Sequence, residues 1–501
     1  MRKRWYWMVF LLCLLPVFVI RQFTAVHGHA DEKSMVRQPA VAGQFYPAAP
    51  DELGRMIDQY LAQAAGPVVS GQIVALIAPH AGYVYSGPVA AYSYAQLKGL
   101  KYDRVVVIAP SHFESFAFNS VYDGDAYATP FGNVPIDKEF ATKLAKSNSL
   151  IQLSSRGHKP AQQQGEHAVE VELPFLQRVL GNFKLVPIVM GEQNYDIERA
   201  LGVSLAKLLK GTNNTLIIAS SDLSHYHSYD DATKMDQKTL KTIERWDYLS
   251  LSRDFEMRSL EACGGGPIVA TMIAAERLGA RQARILKYAN TGDVTGDHNR
   301  VVGYSAVALT KAANSSASAS AFSLTPNDKA FLLRLARTSV ETAVHDGKLY
   351  DPPAPDSPAL LEDHGAFVTL KEKGDLRGCI GLITAVKPLY LVVRDAAVSA
   401  ALRDPRFRPV STGELSQLQY EISVITPFHR VLDVRDIQVG RDGLFMIQGQ
   451  YEGILLPQVP TEQGWDRKTF LEETCLKAGL PRQAWQDDTT DIFAFSALVF
   501  D

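Results

Sequence analysis

Cysteine is scarce, with four in 501 residues. One of them, Cys13, lies in an N-terminal apolar stretch, so Cys263, Cys379 and Cys475 alone remain beyond it. Three thiols exclude a disulfide framework as the basis of stability, and in an oxidising compartment an odd count leaves at least one unpaired or bound to something else. Charge of one sign is equally absent: 51 Lys and Arg face 54 Asp and Glu, the formal net charge is −3 and the pI is about 6.5. That balance provides no basic field for nucleic acid. The one long apolar run, Trp5 to Ile20, falls short of the roughly 20 residues that a spanning helix needs.

What is present begins with that run. Arg2, Lys3 and Arg4 precede it and Gly28-His29-Ala30 gives a small-x-small ending, so residues 1–30 read as a secretory signal peptide cut near Ala30. Because Arg21 closes the run well before that point, an uncleaved membrane anchor is the alternative. Removal of residues 1–30 takes away four basic groups and no acid, moving the formal charge from −3 to −7. The expected location is extracytoplasmic, either periplasmic or secreted, or tethered to the inner membrane if the segment is uncleaved. With 46% hydrophobic and 21% charged residues, the rest has a globular composition and room for two or three domains. A Ser/Ala-rich linker, residues 312–324, marks the boundary between a first domain over 36–311 and a second over 325–501.

In the first domain, β-rich runs at 73–79, 104–110, 183–190, 215–221 and 301–309 alternate with helical patterns at 51–65, 137–146, 167–180, 196–210 and 267–278. This alternation predicts an α/β sheet with helices on its faces. Three strands run into polar residues: His80 after "LIAP", His112 after "VIAPS", and Asp222 with His225 in "SSDLSHYH". Ligands gather beyond the carboxyl ends of strands in open α/β sheets, so these loops are candidates to converge on one site. Cys263, in "EACGGGPIV", adds a thiol before three glycines and Pro267, at a predicted helix start where amides and the helix dipole favour a thiolate. Tyr83 and Tyr85 read as packing residues, and Glu166, His167 and Glu170 as residues opening a helix, with at most a supporting role. "TGDVTGDHN" reads as a tight acidic turn, since it lacks the ligand pattern and closing glutamate of a calcium loop.

Residues 36–311 resemble the Memo family (mediator of cell motility), protein B of the AmmeMemoRadiSam grouping, itself similar in fold to class III extradiol dioxygenases. The resemblance rests on "RQPAVAGQFYP", "APHAGYVYSG", "APSH", "GEHAVEVELPFLQ", "SSDLSHY", "CGGGP" and "TGDVTGDHNRVVGY". It implies metal ligation by His80, His112 and Cys263, with Asp222 and His225 lining the same cavity as the catalytic pair. The implied cofactor is iron, with copper or zinc as alternatives, because a softer thiolate stands where the dioxygenases have a carboxylate. That replacement departs from the ring-cleaving pattern.

The second domain has a different rhythm. A helix is predicted over 326–345, a Pro-rich loop follows, and strands in "GAFVTLKEKG", "YEISVIT" and "GILLPQV" mix with helices at 387–402 and 466–477, an α+β arrangement. It resembles the AMMECR family, protein A of the same grouping, through "LRGCIG", "DPRF", "YEISVITP" and "GILLPQVP". Cys379 has no evident histidine or acid partner and reads as a structural thiol, while Arg377 suits an anion or a structural carboxylate equally.

The expected architecture is therefore an α/β Memo/extradiol-dioxygenase-like domain followed by a smaller α+β AMMECR-like domain. The expected function is metal-dependent redox or dioxygenase-like chemistry on a small-molecule or peptide substrate, by a non-haem iron or copper oxidoreductase. The alternative is a non-catalytic protein that binds a ligand, peptide or metal in the same cavity. The grouping implies a functional link to a radical S-adenosylmethionine protein, which this chain, lacking CxxxCxxC, is not. No nucleic-acid partner is expected, and membrane contact only through the N-terminal segment.

Overall fold

Runs such as "QIVALIA" and "RVVVIAP" bury six of their seven residues, as strands do when helices cover both faces of a sheet. A computed structural model describes residues 35–501 except 65, 67, 160–164, 213, 312–322, 384–386 and 427. The signal or anchor read in residues 1–30 and most of the 312–324 linker lie outside the described residues.

The centre of the first sheet is four adjacent parallel strands, in the order Gln72–Ala78, Thr215–Ser220, Arg104–Pro110 and Lys184–Met190. Val301–Lys311 runs antiparallel beside Gln72–Ala78 and carries Gln282–Asn290 and His225–His227, while Asn119–Val121 and Ile151–Leu153 extend the opposite side. The three strands that precede His80, Asp222 and His112 are thus neighbours, and their carboxyl ends open side by side.

Helices Pro50–Gln63, Lys138–Ala145, Tyr195–Leu209 and Gly265–Arg277 form where the periodicity predicts them. The helix expected over 167–180 starts later: a 3-10 turn occupies Glu170–Glu172, the helix runs Leu173–Leu180, and His167 stays in the preceding loop. Among the described residues of this domain, Tyr83–Ala95, Tyr229–Glu244 and Tyr248–Glu256 are longer helices that escape the sequence reading. Tyr83–Ala95 contains Gly87 and Pro88, local signals for a loop, yet tertiary packing overrides them. A Cβ at Gly87 would lie 2.7 Å from the Tyr60 ring, so glycine lets this helix press against Pro50–Gln63.

The second domain is built on an antiparallel sheet in the order Asp375–Leu382, Ala366–Glu372, Leu418–Ile425, Asp491–Phe500, Asp442–Gln448 and Tyr451–Leu455, with His429–Arg430 on Asp491–Phe500. Helix Pro326–Asp346 begins where "LTPND" predicts it: Thr325 and Asp328 cap one another, and Gly347 ends it in the left-handed conformation. The two domains share core rather than hanging from the linker as separate bodies. Tyr248 and Leu249 of the first pack with Phe428, Phe445, Phe493 and Phe495 of the second. At this junction the buried Asp491 carboxylate accepts hydrogen bonds from Arg199, from Arg277 at 2.8 Å, from Arg430 at 3.3 Å and from the Tyr195 hydroxyl at 3.2 Å. Among the described residues no helix is long and apolar enough to cross a membrane.

Candidate metal centre

The loops after the three parallel strands bring His80, Asp222 and Cys263 together, with their ligand atoms within 4.8 Å of one another, and bring His80, His112 and His167 together within the same limit. Cys263 arrives from the other side, just before helix Gly265–Arg277. Its three following glycines are sterically required: a Cβ at Gly264 would collide with the Ser220 carbonyl, one at Gly265 would lie 2.6 Å from the Phe255 ring, and one at Gly266 2.5 Å from the Met190 sulfur. Larger residues would lift the helix, and the thiol with it, off the strand ends.

Each imidazole is held by its far nitrogen. His80 Nδ1 lies 2.8 Å from Ser220 Oγ, whose own proton goes to Glu172 Oε1 at 2.6 Å or to the Ala168 carbonyl at 2.8 Å. The serine oxygen therefore accepts from Nδ1–H, a tautomer assigned from this network, and His80 Nε2 turns a lone pair to Cys263 Sγ at 3.3 Å. His112 Nδ1–H donates to Glu166 Oε1 at 3.0 Å, and Glu166 also accepts the backbone N–H groups of His112, His167 and Ala168. A carboxylate behind an imidazole is the usual support of a histidine ligand. Glu166 thus orients the His112 ring. Glu170 has a different role: it binds Arg37, the Tyr46 hydroxyl and the backbone N–H groups of Ala40 and Val41, fastening the "RQPAVAGQFYP" segment to the domain.

The electrostatics divide the three histidines. Burial and the neighbouring imidazoles hold His80 well below its ordinary pKa, and burial likewise lowers His167. His112 goes the other way: burial opposes its charge, but hydrogen bonds to Cys263 and Glu166 push it up to about 10. Burial pushes the Cys263 thiol up against the opposing pull of His112, so the thiolate favoured by the helix terminus in the sequence reading is outweighed by desolvation. Burial also raises Asp222 to about 6 and Glu172 to about 8.

The remaining expected residues are close by. Asp222 accepts the His80 backbone N–H at 2.9 Å, and its own N–H points to Cys263 Sγ at 3.2 Å, so it braces the cluster; no hydrogen bond joins it to the His225 ring among the described residues. His225 Nδ1–H donates to the Leu223 carbonyl at 2.8 Å, which leaves Nε2 as its acceptor. Tyr83 is buried with its hydroxyl on the Val171 carbonyl, a packing residue, and Tyr85 is exposed. "TGDVTGDHN" is a short capped helix ending at left-handed Gly296, as a turn requires. The residue missed is His167. Its ring stacks on that of His112 with centroids 5.0 Å apart and planes 8° off parallel, and Phe45 and Phe113 flank it at 4.7 and 6.4 Å. The signal lay in "GEH", where glycine and two polar residues precede any apolar periodicity.

The donors of this cluster fit a metal ion. Two overlapping groups meet at buried His80, one adding Asp222 and the half-buried thiol of Cys263, the other His167 and exposed His112, and a bound cation would reverse the burial penalty on the thiolate. Sulfur with imidazole nitrogen suits iron, copper or zinc.

Family models match the two domains in turn. The family described as Memo-like protein matches residues 37–308, and AMMECR1 matches residues 333–500. A MEMO1 family protein of Methanopyrus kandleri is 38% identical over 283 residues, covering 54% of this chain and 98% of the relative. One of Methanocaldococcus jannaschii is 39% identical over 284 residues, covering 54% and 97%. A protein of Pyrococcus horikoshii with a solved crystal structure is 44% identical over 34% of this chain and 89% of its own, with a TM-score of 0.33. The chain belongs to the Memo family and carries an AMMECR1 domain fused behind its Memo domain.

Proposed function

We propose that the Memo domain is a metal-dependent redox protein whose ion is held by His80, His112 and Cys263, with iron the expected metal and copper its nearest competitor. The observation that carries this reading is the inward turn of His80 Nε2 to Cys263 Sγ at 3.3 Å, with its Nδ1 engaged by Ser220. A bound iron or copper ion would supply a one-electron couple and an open position for a small ligand.

The chain's own residues supply the rest. Ser220 fixes the His80 tautomer, and Glu166 fixes the ring of His112. His225 Nε2, a free acceptor, serves as the proton-moving group, and Asp222, with a carboxyl raised to about 6 by burial, holds or releases a proton near neutral pH. Phe45 and exposed Phe113, beside His167, give the entrance an aromatic wall suited to a small apolar or aromatic substrate. The fused AMMECR1 domain serves the same substrate or modification pathway.

The test is metal content of the full chain, purified without oxygen and measured by mass spectrometry beside His80→Ala and Cys263→Ala. One iron or copper per chain, lost in both variants, supports the proposal. A wild-type chain that cannot be loaded sinks it and leaves a ligand-binding cavity.

A further inference from the structure

The backbone that carries the Cys263 sulfur is gripped from two sides. Its N–H donates to the Asp222 carbonyl at 3.2 Å, within the strand-end cluster. Its carbonyl is taken by Gln193, a residue between strand Lys184–Met190 and helix Tyr195–Leu209. Gln193 Nε2 donates to that carbonyl at 2.8 Å, and Gln193 Oε1 accepts the Gly266 N–H at 2.7 Å. A carbonyl only accepts and a backbone N–H only donates, so the amide sits one way round. Gly266 belongs to the first turn of helix Gly265–Arg277, where backbone N–H groups have no partner inside the helix. A Cβ at Gly266 would lie 3.0 Å from the Gln193 Cβ, so the two segments touch. One side chain thus ties the thiol-bearing residue to the helix that follows it.

Gln193 is in turn held from the second domain. Two residues on, the Tyr195 hydroxyl donates to the buried Asp491 carboxylate at 3.2 Å. One turn further, Arg199 donates to the same carboxylate from Nε and, at 3.2 Å, from Nη2, which also reaches the Asp488 carbonyl at 3.1 Å. Arg277, at the far end of helix Gly265–Arg277, binds Asp491 at 2.8 Å. The two helices press together midway, since a Cβ at Gly202 would lie 2.7 Å from the Ala270 carbonyl. Their leading ends meet at Gln193 and Gly266, and one carboxylate of the AMMECR1 domain fastens both helices.

We propose, on the reading of Cys263 as a metal ligand, that Gln193 is the positioning residue for its sulfur and that the AMMECR1 domain sets Gln193 through Asp491. The docked domain thereby holds the thiol against His80 and His112 without supplying a ligand of its own.

The experiment reads two quantities in the full chain. One is the iodoacetamide alkylation rate of Cys263 relative to Cys379 in the metal-free protein, resolved by mass spectrometry; the other is zinc affinity by chelator competition. General loosening speeds both cysteines, whereas displacement of one segment speeds Cys263 alone. Gln193→Ala should raise the Cys263-to-Cys379 ratio about tenfold, as loss of two hydrogen bonds predicts, and weaken zinc about 10–100-fold. Asp491→Asn should move both quantities the same way, but it leaves Arg199, Arg277 and Arg430 around a neutral amide and can prevent folding. Tyr195→Phe removes one hydrogen bond without that risk and should shift both about threefold. Arg245→Gln, which breaks the 2.9 Å ion pair to Glu362 across the same junction, leaves both unchanged. A raised ratio in chains that bind no zinc upholds the positioning and removes the metal reading. An unchanged ratio in Gln193→Ala or in Tyr195→Phe, or a shift in Arg245→Gln as large as that in Tyr195→Phe, overturns the proposal.

Discussion

Cys263 and Cys379 both sit beside glycines and near charged groups, yet imidazoles meet the first sulfur and a hydroxyl the second. At Cys263, His80 Nε2, the His112 ring and the Asp222 backbone N–H all meet the sulfur, and the Asp222 carboxyl lies within 4.8 Å of it. At Cys379, Asp404 takes the backbone N–H at 2.8 Å, Arg406 binds both Asp404 and the Cys379 carbonyl, and the Thr369 hydroxyl reaches the sulfur at 3.2 Å. The "LRGCIG" and "DPRF" motifs thus satisfy each other, and Arg377 is taken by Glu414 at 2.7 Å. The acids tell the same story. Burial raises Asp222 to about 6 against the opposing pull of neighbouring histidines, and Glu172 to about 8, whereas the Arg377 hydrogen bond holds Glu414 at about 2 and Arg406 lowers Asp404. The two clusters differ in what surrounds the sulfur: metal-capable side chains at Cys263, a hydroxyl, backbone and paired ions at Cys379.

The sharpest way to break this contrast is to exchange the cysteines' fates. Cys263→Ala should abolish stoichiometric metal binding, more than about 100-fold in affinity since it removes a ligand rather than a supporting group, while Cys379→Ala leaves the metal content of the same preparation unchanged. A smaller effect is expected one layer out. Glu166→Gln should cost about 10–100-fold in metal affinity by freeing the His112 ring, and Glu414→Gln, which breaks only a structural pair, nothing; competition with a chelator reads both. The buried acids make a third contrast. Glu198, on the Ser252 hydroxyl at 2.6 Å, is raised to about 8 by burial. Folded chains hold that proton between about pH 4.5 and 8 while unfolded chains have lost it. Stability therefore falls as pH rises through this window, and Glu198→Gln should flatten the fall by a few kcal/mol at most, about 1.4 kcal/mol for each pH unit, as denaturant titrations at pH 5 and 8 would register. Last, Cys379→Ala should change the unfolding free energy by less than about 1 kcal/mol, since the motif is held by Asp404 and the backbone rather than by sulfur.

Much of this was legible in the chain. The central strands announce themselves by continuous apolar runs, and their ends by the polar residues that follow, so the sequence alone brings His80, His112 and Asp222 to one edge of the sheet. Cys263 was legible through its glycines, whose role is close approach to Ser220 and Met190. His167 was not, because "GEHAVEVELPFLQ" has enough helical periodicity to absorb it, and only the delayed helix start at Leu173 releases it into the pocket. Helix Tyr83–Ala95 was hidden by Gly87 and Pro88, whose local preference yields to packing against Tyr60. The junction around Asp491 was illegible too, since Arg199, Arg277 and Arg430 lie 292, 214 and 61 residues away and no spacing rule connects them.

The central claim is a site of two imidazoles and one thiolate. X-ray absorption at the zinc edge of the zinc-loaded full chain tests it most directly. The expected result is one sulfur at about 2.3 Å with nitrogen scatterers characteristic of imidazole, the sulfur vanishing in Cys263→Ser. A spectrum of nitrogen and oxygen alone, the same in wild type and variant, would contradict it.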